Sequence, residues 1–312
     1  MAYPLRGPSP YDYMVRIRPM PGIAARDRRP SGAGLAPSTS FRNGTTMNTT
    51  TFPWRPLRST GQIALARLRR LGRYALFFLR SFLLIFRWPF PVGKIMQQVY
   101  FIGTKSVAVI CLTAVFTGMV LGLQGYYTLV KFGSEGVLGA AVALSLIREM
   151  GPVLTAIMLI GRAGSAMAAE LGIMRISEQI DALQTMDIDP IRFLVSPKLG
   201  ATLISMPLLT AMFDVVGIIG GYLTGVLLLG INSGIYFARV QSSVAMSDVT
   251  SGFIKSVVFA VVIVTVCCFK GYTTHEGSGF GAKGVSISTT SAVVIASVLV
   301  LITDYILTSL LL

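Results

Sequence analysis

Six ionisable side chains interrupt the long apolar segments of this chain, and they are the first candidates for chemistry. They are Arg148, Glu149, Arg162, Glu170, Asp214 and Asp304. A charged group among apolar residues is costly unless it faces a polar cavity or an opposite charge. The spacing allows two ion pairs within one segment, Arg148 with Glu149 and Arg162 with Glu170. These side chains predict either structural ion pairs or a polar site inside an apolar bundle.

The sequence contains few residues that could carry out covalent or metal-dependent chemistry. His275 is the only histidine, and the three cysteines lie in apolar segments without the spacing of metal ligands. No Ser/His/Asp set or HExxH pattern is present. The glycine-rich stretch GSGFGAKG, residues 277–284, lacks the Gly-Lys-Ser/Thr ending of a phosphate-binding loop. The sequence therefore predicts no catalytic residues, no metal site and no ATPase motif.

The composition indicates that the ionisable residues lie in transmembrane helices. The chain is 53% hydrophobic and 13% charged, whereas a soluble domain has about 25% charged residues. Apolar runs long enough to cross a bilayer as helices recur from residue 101 onward. The predicted spans cover 101–124, 137–171, 195–230, 252–270 and 287–312. We predict an all-α integral membrane protein with five transmembrane helices.

Charge is unevenly placed along the chain. Residues 1–100 contain 16 Lys/Arg and 2 Asp/Glu, and residues 101–312 contain 11 of each. A basic flank before the first span favours a cytoplasmic N-terminus. A nucleic-acid role is disfavoured, because no basic fold with interleaved aromatic residues accompanies the charge.

Three regions are predicted along the chain. Residues 1–58 form a disordered basic extension, rich in Pro, Gly, Ser, Thr and Arg. This extension is either an expressed segment, a targeting segment or the result of a start placed before Met47. Residues 59–92 alternate Arg with Leu, Ile and Phe, which predicts an amphipathic helix in the headgroup layer or, alternatively, a poorly apolar first span. Residues 93–312 form the membrane domain.

Two patterns predict how the spans are shaped and packed. Gly151 and Pro152 lie near the middle of the second span, where we expect a kink or break. Small residues recur at every fourth position, and such stripes let helices approach closely, including helices of a second copy. The stripes are Gly118 and Gly122; Gly161, Ser165 and Ala169; and Gly217, Gly221 and Gly225.

An acidic segment, ELGIMRISEQIDALQTMDIDP from residue 170 to 190, separates the second and third spans. With Ser177 as a cap, its apolar residues fall on one side of a short helix, and Glu178 and Asp181 fall on another. A helix on an anionic leaflet should be basic. The acidic charge therefore favours a groove on a cytoplasmic protein partner over a simple connector at the membrane surface.

Several stretches together resemble a known family. They are GMVLGLQGYY, ALSLIREMGPVLTAIMLIGRAGSAMAAELGIMRISEQIDALQTMDIDPIRFLVSPKL, IKSVVFA and GAKGVSISTTSAVV…LITDYILTSLL. They are similar to the MlaE family, the permease subunits of MCE-associated lipid ABC transporters. The resemblance covers about residues 55–312.

This resemblance implies a homodimeric permease with an interfacial helix and five spans in each copy. It implies two cytoplasmic ABC ATPase subunits that bind the ATP, a periplasmic MCE-domain lipid carrier and phospholipid as substrate. Family members move phospholipids between the inner and outer membranes of bacteria, and plastid relatives import lipid across the inner envelope. The implied location is the bacterial inner membrane, with the plastid inner envelope as the alternative.

The resemblance also implies two sets of functional residues. The coupling helix that enters the ATPase groove corresponds to Ser177, Glu178, Ile180, Asp181, Leu183 and Met186. The lipid-facing cavity at the dimer axis corresponds to Gln124, Tyr126, Arg148 and Glu149, beside the break at Gly151 and Pro152. The alternative function is an ion-coupled secondary transporter, which is disfavoured because five spans do not divide into two equal repeats. An intramembrane enzyme is disfavoured by the absence of a catalytic set.

Overall fold

The computed structural model describes residues 72–77, 79–80, 83, 92–274 and 281–311. All of these residues belong to one compact unit that runs from Trp54 to Leu312. They are almost entirely helical, and no β-strand occurs among them. The predicted all-α class is confirmed. The extension 1–58, most of 59–92, His275 and residues 277–280 lie outside the described residues, so the predicted region boundaries stay predictions.

Five helical segments are long and apolar enough to cross a membrane, as predicted. Spans 1 to 5 are Val92–Phe132, Glu135–Ile176, Ile191–Leu228, Met246–Tyr272 and Ala282–Leu311. Most begin earlier or end later than the apolar runs in the sequence. The reason is that backbone hydrogen bonding continues a helix past its last apolar residue into the polar flank. A span of 41 residues is about 60 Å long if wholly helical, so it extends beyond the hydrocarbon layer.

Three of the spans contain non-α turns. The α-helical parts of span 1 are Val92–Ile102 and Val107–Leu129, and those of span 2 are Leu138–Ser145, Gly151–Leu159 and Ser165–Ile176. The π-helical turns are Leu146–Met150 and Ile160–Gly164 in span 2, and Ile191–Val195 and Leu223–Leu228 in span 3, where they flank Ser196–Tyr222. Spans 4 and 5 are single α-helices.

Spans 2 and 4 occupy the middle of the bundle. Span 1 packs mainly on span 3, while span 5 packs on spans 4 and 2. The predicted stripes explain the closest pair of helices, because Gly118 faces Gly217 and Gly122 faces Gly221. A Cβ on Gly118 would lie 1.9 Å from the carbonyl oxygen of Gly217, so only hydrogen fits there. Gly161, by contrast, has open space around it within this chain.

Two short helices mark the two ends of the bundle. The connecting helix, Gln179–Thr185, joins spans 2 and 3, and we call its side the connecting end. The far-end helix, Ser233–Ser243, joins spans 3 and 4 and packs on the start of span 2. Asn232 caps the far-end helix by accepting hydrogen bonds from the backbone N–H groups of Gly234 and Ile235.

Helical residues that precede span 1 pack against the connecting end. The ring centroids of Tyr74 and Phe77 lie 3.8 Å and 5.5 Å from that of Phe269 in span 4. The Arg80 guanidinium donates a 2.9 Å hydrogen bond to Asp189, just before span 3. These contacts hold the described part of the predicted amphipathic helix beside the connecting helix.

Candidate functional site

A cluster of charged side chains from three spans forms the polar site of this bundle, which we call the charged cluster. It consists of Arg148 and Glu149 from span 2, Asp248 and Lys255 from span 4, and Asp304 from span 5. The first four residues line a cavity of about 770 Å³. Because Asp248 lies next to the start of span 4 and Thr308 near the end of span 5, the cavity lies toward the far end of the bundle.

Lys255 is the centre of this cluster. Its side chain is 3% exposed, and its ammonium donates three hydrogen bonds. They reach the carbonyl oxygen of Arg148 at 2.9 Å, Glu149 Oε2 at 2.8 Å and Thr308 Oγ1 at 2.7 Å. Asp304 Oδ1 lies 3.2 Å away, close enough for an ion pair without hydrogen-bond geometry. Each ammonium proton therefore has an acceptor, which is the condition for burying a lysine.

Arg148 and Glu149 present their charged groups to the cavity. The Nε of Arg148 donates a 2.8 Å hydrogen bond to Asp248, and the Arg148 side chain stays 47% exposed. Asp248 is held in place because its second carboxylate oxygen accepts from the backbone N–H of Ala245. Glu149 is 39% exposed and accepts from Lys255 and from the Thr308 hydroxyl. The site thus offers one accessible cation beside one accessible carboxylate.

The predicted ion pairs within span 2 are wrong. Arg148 and Glu149 pair with span 4 instead of with each other. Arg162 donates to the carbonyl oxygen of Phe101 and to Ser106 in span 1, and Glu170 pairs with Lys198 in span 3. Adjacent residues on a helix point in different directions, and residues eight apart are separated by about 12 Å along the axis, so a neighbouring span supplies the nearer partner.

The predicted break at Gly151 and Pro152 takes the form of a π-helical turn. The turn Leu146–Met150 ends directly before Gly151, and the helix continues from there without interruption. Pro152 has no N–H to donate to the preceding turn, and the carbonyl oxygen of Arg148, four residues before it, accepts a 2.9 Å hydrogen bond from Lys255 instead. Arg148 and Glu149 lie inside the π turn, so both line the same cavity.

Asp214 lies against this turn from span 3. A Cβ on Gly151 would lie 1.8 Å from Asp214 Oδ1, so glycine is required for the approach. That buried oxygen has no hydrogen-bond partner among the described residues. Asp214 lines a separate, smaller cavity between spans 3 and 4, apart from the charged cluster.

Gln124 and Tyr126, which the resemblance assigns to the lipid cavity, do not join the charged cluster within this chain. Gln124 is exposed on span 1. Tyr126 is partly buried against the core and has its ring edge-on to Tyr127, 6.0 Å between centroids. Span 1 carries Gln124 and Tyr126, whereas span 5 carries Asp304 of the charged cluster, and these two spans lie on different sides of the bundle. The two predicted parts of the cavity are therefore separated in one copy.

The connecting helix is shorter than predicted. It spans Gln179–Thr185, and its N-cap is Glu178, with φ +58° and without a side-chain cap. The predicted cap Ser177 instead donates to the carbonyl oxygen of Ile173, within the last turn of span 2. A left-handed residue on each side, Glu178 and Asp187, turns the chain sharply and isolates this helix from the spans.

The apolar residues that the pattern places on one side of the connecting helix do not share one environment. Ile180 is fully buried against the bundle, while Met186 is 68% exposed. Leu183 is partly buried. Asp181 accepts a hydrogen bond from Arg175 at the end of span 2, which ties the connecting helix to that span. The exposed side carries acidic and apolar groups away from the bundle.

Three partners in these ion pairs were missed at the level of sequence: Lys198, Asp248 and Lys255. Lys198 and Lys255 are 2% exposed. The signal that singled out Asp304, a charged residue inside an apolar run, also applies to Lys255. Lys198 and Asp248 lie close to span ends, where charge is common and carries little information.

Comparison with known proteins agrees with this architecture. The family model described as Permease MlaE matches residues 95–310. The intermembrane phospholipid transport system permease protein MlaE of Haemophilus influenzae is 45% identical over 224 residues, which cover 72% of this chain and 84% of that protein. A probable ABC transporter permease protein of Rickettsia bellii is 42% identical, covering 81% of this chain and 96% of that protein.

A plant relative is also similar. The chloroplastic protein TRIGALACTOSYLDIACYLGLYCEROL 1 of Arabidopsis thaliana is 39% identical, covering 69% of this chain and 60% of that protein. The family match spans the whole five-span bundle, including the charged cluster and the connecting helix. This chain belongs to the MlaE permease family and is a multi-pass membrane permease of the ABC transporter type.

Proposed function

We propose that this permease forms the membrane path of an ABC transporter that moves phospholipids between membranes, driven by a separate cytoplasmic ATPase. The observation that carries the proposal is the charged cluster beside a cavity of about 770 Å³, in a chain similar to a named phospholipid transport permease. Four charged residues, five hydroxyl-bearing residues and three apolar residues line this cavity, which suits the charged headgroup of a lipid. The ion-coupled alternative is not favoured.

The connecting helix is the proposed contact with the ATPase. Its exposed acidic and apolar side chains, with Ile180 anchored in the bundle, suit insertion into a groove on a soluble subunit. Movement of the ATPase would reach span 2 through the Arg175–Asp181 hydrogen bond. Span 2 carries Arg148 and Glu149 in the half nearer the far end, so one helix links the ATPase contact with the cavity. The permease itself contributes no ATPase motif and binds no cofactor in this proposal.

The remaining features of the proposal concern assembly and location. We infer a homodimer, because Gly161 of the predicted stripe has open space around it and Gln124 and Tyr126 lie apart from the charged cluster in a single copy. A second copy would supply the other wall of the cavity at the dimer axis. A periplasmic MCE-domain carrier would exchange lipid at the far end. The connecting end then faces the cytoplasm of a bacterial inner membrane, with the plastid inner envelope as the alternative.

The test compares two matched substitutions at opposite ends of the bundle. Met186→Asp changes an exposed residue of the connecting segment, and Met246→Asp makes the same change in an exposed residue at the far end. Each tagged full chain is expressed in its native host and purified in mild detergent. Co-purifying proteins and lipids are then identified by mass spectrometry.

We expect an ABC ATPase, an MCE-domain protein and phospholipid to co-purify with wild type. Of the two matched variants, Met186→Asp should lose the ATPase and Met246→Asp should keep it. The double variant Asp181→Arg/Leu183→Asp should also lose it, because it changes both the charge and the apolar contact. Loss of the ATPase from Met246→Asp as well would contradict the assignment of the connecting helix. Absence of an ATPase from every sample would reopen the ion-coupled alternative.

A further inference from the structure

We propose that the charged cluster selects phospholipids with an ammonium-bearing, zwitterionic headgroup over phospholipids with an anionic headgroup. The phosphate is bound by Arg148 and the ammonium by Glu149. This inference rests on the proposed phospholipid transport and adds the class of headgroup. It follows from the balance of charge in the cluster and from which groups remain accessible.

The cluster carries an unbalanced negative charge. Glu149, Asp248 and Asp304 supply three carboxylates, whereas Arg148 and Lys255 supply two cations. In their ionised forms these groups sum to one excess negative charge. Such a charge near a membrane interior is costly unless a cation neutralises it. A ligand that brings an ammonium group would supply that cation.

Lys255 is unable to take part in ligand binding. Its three protons are donated to Arg148, Glu149 and Thr308, and its side chain is 3% exposed. Lys255 therefore fixes the position of the Glu149 carboxylate and neutralises charge inside the cluster. Its own charge is screened from the cavity by the groups that surround it.

Arg148 is suited to a phosphate. Only its Nε is engaged, by Asp248 at 2.8 Å, and its two terminal nitrogens have no partner within the part of the chain that the structure describes. An arginine held through Nε presents a planar pair of donors, which matches two oxygens of a phosphate. Ser145 and Ser247 line the same cavity and supply further hydroxyl groups near this position.

Glu149 is suited to an ammonium. Its carboxylate is 39% exposed and has lone pairs beyond those that accept from Lys255 and Thr308. It follows Arg148 directly in sequence, and both side chains line the cavity. A phosphate and an ammonium joined by a short carbon linker, as in an ethanolamine headgroup, would meet both charges at once.

An anionic headgroup has no ammonium group to pair with Glu149. A phosphoglycerol headgroup offers a phosphate to Arg148 but only hydroxyl groups to Glu149, and it adds a second negative charge to a cluster that already has one in excess. Charge repulsion is stronger in a partly buried site than in water. We expect about fivefold enrichment of the zwitterionic lipid, which corresponds to about 1 kcal/mol.

The experiment measures the ratio of bound lipids. Purified full-length permease in mild detergent is equilibrated with equal amounts of phosphatidylethanolamine and phosphatidylglycerol that have identical acyl chains. The protein is purified again, and both lipids are quantified by mass spectrometry. Wild type is compared with Glu149→Gln, Arg148→Gln and a control, Lys283→Gln, which changes an exposed residue at the start of span 5.

We expect a ratio of about five to one for wild type and for Lys283→Gln. Glu149→Gln should bring the ratio close to one, because the accessible carboxylate and the excess charge are both lost. Arg148→Gln should reduce the total amount of both lipids at least fivefold and keep their ratio at or above five, because Glu149 remains and the excess negative charge increases. If Glu149→Gln fails to fold, Asp304→Asn provides the second test, since it also removes the excess charge and should lower the ratio.

Equal binding of the two lipids by wild type, or enrichment of phosphatidylglycerol, would overturn the headgroup inference and leave phospholipid transport standing. A ratio in Glu149→Gln that equals the wild-type ratio of five would overturn the assignment of Glu149. Absence of both lipids from wild type would instead contradict the proposed function itself.

Discussion

Replacement of Gly118 by alanine should loosen the closest pair of helices in the bundle. The new Cβ would lie 1.9 Å from the carbonyl oxygen of Gly217 and 2.7 Å from its carbonyl carbon, and both are backbone atoms. Carbon atoms do not approach closer than about 3 Å, so spans 1 and 3 must separate by at least about 1 Å at this level. No side-chain rotation relieves this overlap.

The cost follows from the packing that is lost. Overpacking of a close interface costs about 1–3 kcal/mol or more. A change of 1 kcal/mol shifts the unfolding midpoint by about 2–4 °C in proteins approaching this size. We therefore expect the midpoint of Gly118→Ala to fall by roughly 5–10 °C, at the upper end of the range for overpacking.

The assay uses the cysteines of the chain itself. Cys267 and Cys268 are fully buried in span 4, whereas Cys111 is only partly buried, so every sample carries Cys111→Ser and a thiol-reactive fluorophore then labels the protein only as the bundle unfolds. Heating purified protein at one scan rate gives an apparent midpoint. Gly93→Ala, in the first helix of span 1, is the matched control, because a Cβ there meets nothing within 4 Å among the described residues. Its midpoint should stay unchanged or rise slightly, since alanine favours a helix over glycine. Equal midpoints for the two variants would refute the close contact between spans 1 and 3.

Three further changes test other contacts of the described residues. Lys255→Met leaves the neighbouring carboxylates without their shared cation, so we expect a loss of about 3–5 kcal/mol and a sharp fall in monodisperse protein on size-exclusion chromatography, whereas exposed Lys283→Met should keep its yield. Burial raises the pKa of Tyr236 to about 12, above its unfolded value of about 10. The stability that the protonated Tyr236 contributes is fully present below about pH 10 and is lost as pH rises toward 12. The thermal midpoint of wild type should therefore fall between pH 10 and 12, and that of Tyr236→Phe should fall less. The ion pair between Arg80 and Asp189 is largely exposed on the arginine side and should contribute at most about 1 kcal/mol, so a midpoint that falls by more than about 5 °C in Arg80→Ala would contradict a purely surface role.

The fold was largely predictable because its two strongest signals are local. Apolar runs of about 20 residues or more indicate spans, and the number of spans agrees with the structure. Glycine stripes also predicted where helices approach, since Gly118 faces Gly217 and Gly122 faces Gly221. Periodicity along one helix is enough to place a smooth face, although it does not identify the partner that covers that face.

The candidate site was predictable only in part. Arg148 and Glu149 were singled out because charge inside an apolar run is costly, and both line the cavity. Their partners Asp248 and Lys255 lie about one hundred residues away in sequence. No spacing rule connects positions on different helices, so the pairing depends on how spans 2 and 4 are rotated and packed.

The connecting helix was also predictable from the sequence only in part. Its amphipathic pattern placed Ile180 and Met186 on one apolar side, yet Ile180 is fully buried against the bundle and Met186 is 68% exposed. Its start was misplaced because Ser177, a favourable cap in sequence, ends the last turn of span 2 instead. The left-handed conformation of Glu178 is imposed by the position of the two flanking spans, which local propensity does not describe.

The membrane environment, the number of spans, their smooth faces and the presence of charge at membrane depth follow from the sequence, because each depends on residue types along one helix. The pairing of Lys255 with Glu149 and Asp304, the accessible guanidinium of Arg148, and the meeting of three carboxylates with two cations beside one cavity emerge only when the helices are packed together. The physical reason is that electrostatic energy depends on distances between helices, and these distances are set by the packing of the whole bundle.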